Sequence, residues 1–343
     1  MSAAGLERLV DCQRLAVVGF AEVVRVLPLV LRTRRMLLRE IVHRKPDLII
    51  LIDYPGFHFS LLDKIRRLQL PKRPKILYYI SPQVWAWRAS RAKQLATLAD
   101  HIAVIFPFEA KIYDEVGLPC TFVGHPLLDE VGEIPPRGQF LNSLGIEADD
   151  RVVALLPGSR AQEVRRHLPV MAGAAVILQR FVPGVRFILA EAATLPPSLY
   201  QRFIASQNIV AVRGQTHAVL AHANAAWVKS GSGTIEAAHF GNPFVVIYKT
   251  SALTYWLGRR FVKVPFIAMA NLLAGERIVP ELLQQDATPE RMAGEILPFL
   301  IDAKAIESCR DKLRQVREKL GSAGAAQRVA DIAAQLIASG KEG

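Results

Sequence analysis

The sequence predicts an α/β protein of two doubly wound domains, and three observations predict it. Short apolar runs alternate with longer amphipathic ones in the first half, a polar Gly- and Pro-containing stretch from Gly132 to Asp150 interrupts the rhythm, and the alternation then restarts. Strand and helix in alternation imply a parallel sheet covered on both faces by its crossover helices.

The elements follow in chain order. Asp47–Asp53, Lys75–Ile80, His101–Ile105 and Cys120–Gly124 are the strands of a first domain, residues 1–137. Pro135, Pro136, Gly138 and Gly145 punctuate the chain around a linker placed at 138–150. Arg151–Leu156, Val185–Ala190, Ile209–Arg213, Ala223–Val228 and Pro243–Tyr248 are the strands of a second domain, 151–288. From Pro289 to Ile337, Ala, Leu, Ile and Val recur every three or four residues, which predicts a helical tail, 289–343, able to pack back on the domains.

With 343 residues, 51% hydrophobic and 22% charged, the chain buries ample apolar surface. Its net charge of +12 is uneven: residues 1–100 hold 18 Lys and Arg against 8 Asp and Glu. Such a field attracts anions, whether nucleic acid, an anionic membrane face or an anionic substrate. The repeated aromatic and basic alternation of single-strand binders is absent, which argues against nucleic acid. Cys12, Cys120 and Cys309 stand alone, so neither a disulfide framework nor a cysteine zinc site is indicated, and a reducing cytoplasm fits. Glu7 and Arg8 occupy the place of a secretory signal's apolar core, and Glu22, Arg25 and Pro28 interrupt the one long apolar run, Leu15–Leu31. The expectation is a protein that touches membranes without crossing them.

Chemistry concentrates at strand ends, where ligands of open parallel sheets lie. Lys229-Ser-Gly-Ser-Gly-Thr-Ile-Glu236 follows an apolar strand and leads into a helix. Ser230, Gly231, Ser232, Gly233 and Thr234 leave backbone N–H groups free at a helix N-terminus, a cradle for phosphate oxygens. Gly158, Ser159 and Arg160, in Leu155-Leu-Pro-Gly-Ser-Arg160, form a second such turn and add a guanidinium able to grip two oxygens. Two such turns point to a diphosphate. Glu236, on the first helical turn, suits the hydroxyls of a ribose, although a first-turn Glu is also ordinary helix chemistry. Arg160 has a plain alternative too, a surface pair with Glu163.

Asp53 ends Leu48-Ile-Ile-Leu-Ile-Asp53 before the Tyr54-Pro55-Gly56 turn. Partly desolvated by apolar neighbours, its carboxylate would have the raised basicity of a general base; as a cap or turn residue it would be structural. His125 also ends a strand and is a minor candidate, an isolated His being usually structural. Ser81-Pro-Gln-Val-Trp85-Ala-Trp87-Arg88 sets two tryptophans in a basic stretch, either as core packing or as an amphipathic lip at a lipid interface. Arg32, Arg35, Arg39 and His43 fall on one helical stripe, with Leu31, Leu38, Ile41 and Val42 on another, the pattern of a basic helix lying on anionic headgroups.

Taken together these segments resemble the lipid-A-disaccharide synthase family. The residues that carry the resemblance are Leu51-Ile-Asp-Tyr-Pro-Gly-Phe57, Ser81–Arg88, Phe106-Pro-Phe-Glu109, Phe122-Val-Gly-His-Pro126, Leu155–Arg160, Ser230–Glu236 and Asn271-Leu-Leu-Ala-Gly275. The resemblance implies an inverting, metal- and cofactor-independent glycosyltransferase of the GT-B type, with two Rossmann-like domains facing a cleft. The donor would be UDP-2,3-diacylglucosamine, the acceptor 2,3-diacylglucosamine 1-phosphate, and the products UDP and a β-1,6-linked disaccharide phosphate. Asp53 matches the family's proposed catalytic carboxylate and Arg160 its essential arginine, and Asn271 falls in a loop used at the active site. The location implied is the cytoplasmic face of the inner membrane of a Gram-negative cell. The family's opening strand and Ser-Gly-Asp loop have no counterpart before Leu15, which leads to the expectation of lower stability and activity. Competing readings are an impaired UDP-sugar or lipid binder, or another GT-B enzyme such as a peptidoglycan transferase or a UDP-sugar epimerase.

Overall fold

A computed structural model describes residues 5–10, 20–87, 90–204, 208–251, 255–256, 260 and 264–340, with only the backbone of Phe20–Val26 and Ala86–Trp87. The chain forms two compact units, Met1–Gly124 together with Gly324–Gly343, and His125–Ala323.

Among the described residues the first unit holds four parallel strands, β1 (Leu48–Ile52), β2 (Lys75–Tyr79), β3 (His101–Val104) and β4 (Cys120–Phe122), side by side in chain order. The two-residue period sends Leu51, Ile76, Tyr78, Ile102 and Val104 into one core, with Phe57, Leu62 and Ile65 of the helix Pro55–Arg66 and Leu95 of the helix Ser90–Leu98. Right-handed crossovers that all advance in one direction lie on one face of a sheet. The helix Ala325–Ser339 also belongs to this unit, packing on β1 and β2 while Arg328 Nε donates to the Val123 carbonyl at 2.8 Å.

Among its described residues the second unit holds six parallel strands, β5 (Val152–Leu156), β6 (Arg186–Glu191), β7 (Ile209–Arg213), β8 (Ala225–Lys229), β9 (Phe244–Tyr248) and β10 (Glu281–Leu283), ordered β10-β9-β8-β5-β6-β7. Winding runs outward from β5 through β6 to β7, then restarts on its other side with β8. That reversal opens a crevice at the carboxyl ends of β5 and β8. Strand β10, three residues long, offers too short an apolar pattern to be read from sequence.

Residues 138–150 are not a free linker. Phe140 and Leu141 of the helix Arg137–Asn142 are buried in the second unit. Arg137 ties the segment down, donating to the carbonyls of Ala148 and Asp150 at 2.8 Å and also to that of His222, whose Nε2 donates to the Pro135 carbonyl at 2.7 Å. The division therefore falls at Gly124/His125. The helical tail is shared as well: Pro289–Ile296, Pro298–Ile301 and Ala303–Glu318 stay with the second unit, and the last helix returns to the first.

Candidate active site

Leu156 pairs with Val228 at the ends of β5 and β8, so the two Gly-containing turns emerge side by side. Each leads into a helix, Ala161–Leu178 and Gly233–Phe240. Between them lies a cavity of about 130 Å³ bounded by Gly158, Ser159, Gly231, Ser232, Gly233 and Glu236, all expected, and by Glu163, Thr216 and Lys229, which were not. First-turn N–H groups have no acceptor within their own helix and the dipoles add partial positive charge there, an arrangement that suits an anion.

Glycine is required at two points. Gly158 (φ +119°) and Gly231 (φ +139°) adopt backbone conformations that side chains disfavour. A Cβ at Gly158 would collide with Glu163 Oε2 and come within 2.8 Å of its Cβ.

Glu163 is the centre of this turn. Its carboxylate accepts from Ser159 N–H at 3.2 Å, Arg160 Nη1 at 3.1 Å and Lys229 Nζ at 2.9 Å. Burial alone would raise this carboxyl, but the two cations hold it below the ordinary carboxylate range. The surface pair is thus formed by Arg160, whose side chain remains half exposed. His167, wholly buried, braces the same turn: Nδ1 donates to the Pro157 carbonyl at 2.9 Å and Nε2 accepts from Lys249 N–H at 3.0 Å. A lone His on an apolar helix face gave no sign of this in sequence.

In the second turn the Ser230 hydroxyl donates to the Ile267 carbonyl at 3.2 Å and the buried Thr234 hydroxyl to the Gly231 carbonyl at 2.7 Å, while Ser232 is exposed. Glu236 is partly buried, 3.7 Å from His217 Nε2, and burial pushes its carboxyl above the ordinary range. Asn271 has a different place from the one expected. It is fully buried, its amide donating to the Val279 carbonyl and Glu281 Oε1 and accepting from the N–H groups of Ile278 and Val279, all within 3.0 Å. Its four hydrogen-bonding valences are filled, so it braces a loop and has none left for a ligand.

In the first unit, Asp53 follows β1 with φ +50° and Tyr54 follows it with φ +46°, two consecutive non-glycine residues in the left-handed region. Asp53 N–H donates to the Tyr79 carbonyl at 3.0 Å. The Asp53 side chain is exposed rather than desolvated by the strand. Left-handed strain at a strand end remains a signature of functional turns.

Trp85 is half-buried, its indole N–H donating to Glu109 Oε1 at 3.2 Å and its ring edge-on to Phe108. That contact accounts for one tryptophan as packing; the side chain of Trp87, and Arg88 altogether, lie outside the described residues. Buried Glu109 also accepts from Ser81 Oγ at 2.7 Å and Phe106 N–H at 3.1 Å, so it joins the Ser81 and Phe106 segments. Arg32, Arg35 and Arg39 lie exposed along the helix Phe20–Arg44, while Leu38 and Ile41 pack inward; Val42 is exposed, off the buried stripe. His125 is half-buried, its Nδ1 accepting from Leu127 N–H at 3.2 Å, and burial pushes its imidazole down to about 4. Among the described residues no helix is long and apolar enough to cross a membrane, and no group of three His, Cys, Asp or Glu is placed to hold a metal ion.

The family model described as lipid-A-disaccharide synthetase matches residues 1–336. The lipid-A-disaccharide synthase of Geobacter metallireducens is 42% identical over 98% of this chain and 87% of its own length. Among solved structures, the glycotransferase of kitacinnamycin is similar with a TM-score of 0.61 at 16% identity, covering 98% of this chain and 87% of its own. UDP-GlcNAc 2-epimerase from Neisseria meningitidis follows with a TM-score of 0.60 at 12% identity, over 93% and 82%. Identities this low speak to the fold alone, and that fold is GT-B.

Proposed function

Because the chain belongs to the lipid-A-disaccharide synthase family, it is a glycosyltransferase, and we propose that its donor is UDP-2,3-diacylglucosamine and its acceptor 2,3-diacylglucosamine 1-phosphate. The donor half rests on the cavity at the β5/β8 reversal, where two helix N-termini and Lys229 gather around space for a diphosphate and Arg160 pairs with Glu163 of its wall.

The reaction is a single inverting displacement. The acceptor's 6-hydroxyl oxygen attacks the anomeric carbon, that carbon's bond to the diphosphate oxygen breaks, and the electron pair leaves with UDP. Asp53 takes the hydroxyl proton. Arg160, Lys229 and the N–H groups of the two turns meet the charge that grows on UDP. Glu236 accepts from the ribose hydroxyls. The exposed Arg32, Arg35 and Arg39 hold the enzyme to an anionic membrane surface, on the cytoplasmic face of the inner membrane, where acylated substrates reside.

Purified protein given both lipids should release UDP and β-1,6-linked disaccharide 1-phosphate in equal amounts, measured by phosphorus NMR and mass spectrometry. UDP released without disaccharide, or epimerisation of the donor, would show the assignment to be wrong.

A further inference from the structure

The diphosphate site already holds an anion, and it belongs to the protein. The Glu163 carboxylate takes three donors: a backbone N–H of the Pro157–Arg160 turn, the Arg160 guanidinium and the Lys229 ammonium. These are the groups that a diphosphate would engage at a Gly-rich turn. Gly158 lacks a side chain at the point where this carboxylate lies against the turn, so one absence admits either anion.

We infer that Glu163 is a built-in placeholder for the donor's diphosphate: it occupies the phosphate-binding donors while the site is empty, is displaced when UDP or the UDP-sugar enters, and returns as UDP departs. The inference rests on the UDP reading above. Two anions cannot share Ser159 N–H and Arg160 Nη1 at hydrogen-bond distance without strong repulsion in a site of reduced dielectric. Without the placeholder, Lys229 and two helix N-termini would face one another around the cavity, and Arg160 would lose its carboxylate partner. With it, the site is compact and pre-ordered, and UDP release becomes an exchange of one anion for another. Glu163 acts here as a positioning residue, through the donors that it holds.

Titration of UDP and, separately, uridine into wild type and Glu163→Gln tests this. Gln keeps the shape but not the charge, so UDP should bind the variant about tenfold more tightly, uridine equally well to both, and UDP release should be faster in wild type. Unchanged or weaker UDP binding by the variant overturns the placeholder, as does a uridine affinity that moves in step with that of UDP. A UDP complex of the wild-type protein, which needs no variant to fold, should show Glu163 parted from Ser159 N–H; a complex in which all three bonds persist overturns it too. Wild type that binds no UDP removes the UDP reading itself, a different failure.

Discussion

Tyr78 Oη donates a hydrogen bond of 2.8 Å to the backbone carbonyl of Asp53, an oxygen that also accepts from His58 Nδ1 at 2.6 Å. With Asp53 N–H bonded to Tyr79, the left-handed turn is held by its main chain while the carboxylate stays exposed. Burial pushes the Tyr78 phenol up and the His58 imidazole down, so both donors stay neutral near pH 7. Tyr78→Phe removes one clamp and leaves the other. Steady-state kinetics should show kcat lower by about tenfold to a hundredfold with KM little changed. A variant with wild-type kcat would show that the clamp is irrelevant to turnover.

Glu109 should make stability depend on pH. Burial pushes its carboxyl up to about 7 against the opposing hydrogen bonds from Ser81, Phe106 and Trp85. Between the unfolded value of about 4.5 and the folded value of about 7, the native state keeps a proton that the unfolded chain has lost. Stability from this group is therefore complete below that window and falls as pH rises through it, by at most roughly 3 kcal/mol. The buried histidines act in the opposite sense, so the useful quantity is the difference from Glu109→Gln in urea denaturation. The variant should gain on wild type from pH 5 to pH 8; a constant difference contradicts the assignment.

Asn271 separates bracing from ligand contact. Asn271→Ala strips partners from two buried N–H groups and a buried carbonyl, which should cost about 2–4 kcal/mol in chemical denaturation. UDP affinity measured where the variant is folded should stay within about twofold of wild type. A stable variant with weakened UDP binding would return Asn271 to the ligand site.

The basic stripe predicts a salt-dependent membrane contact. Each basic residue near an anionic surface is worth about 1 kcal/mol, so reversing Arg32, Arg35 and Arg39 to Glu should weaken binding to anionic vesicles by at least about a hundredfold at low salt. Sedimentation with vesicles measures it, and indifference to both salt and charge reversal refutes the contact.

Much of this was legible in the sequence because strand-end turns carry local signals. The Pro157–Arg160 and Ser230–Thr234 turns stand out by composition alone, and nine of the strands by their apolar runs. Their adjacency did not, since it depends on β5 pairing with β8 across a long stretch of chain. Glu163 and Lys229 were visible as charges, but a hydrogen-bond hub exists only once two turns meet. Asn271 misled for the same reason: a polar residue in a promising loop reads alike whether its amide faces a ligand or fills its valences on backbone. The segment around Phe140 read as a linker because its Gly and Pro residues outweigh a short buried helix.

Replacing Asp53 with Asn isolates the proposed base, because Asn tolerates the left-handed backbone there while losing the carboxylate. UDP should bind within about twofold of wild type while turnover of the two lipid substrates falls by about 10²–10⁴. Turnover within a few fold of wild type would show that another group takes the proton.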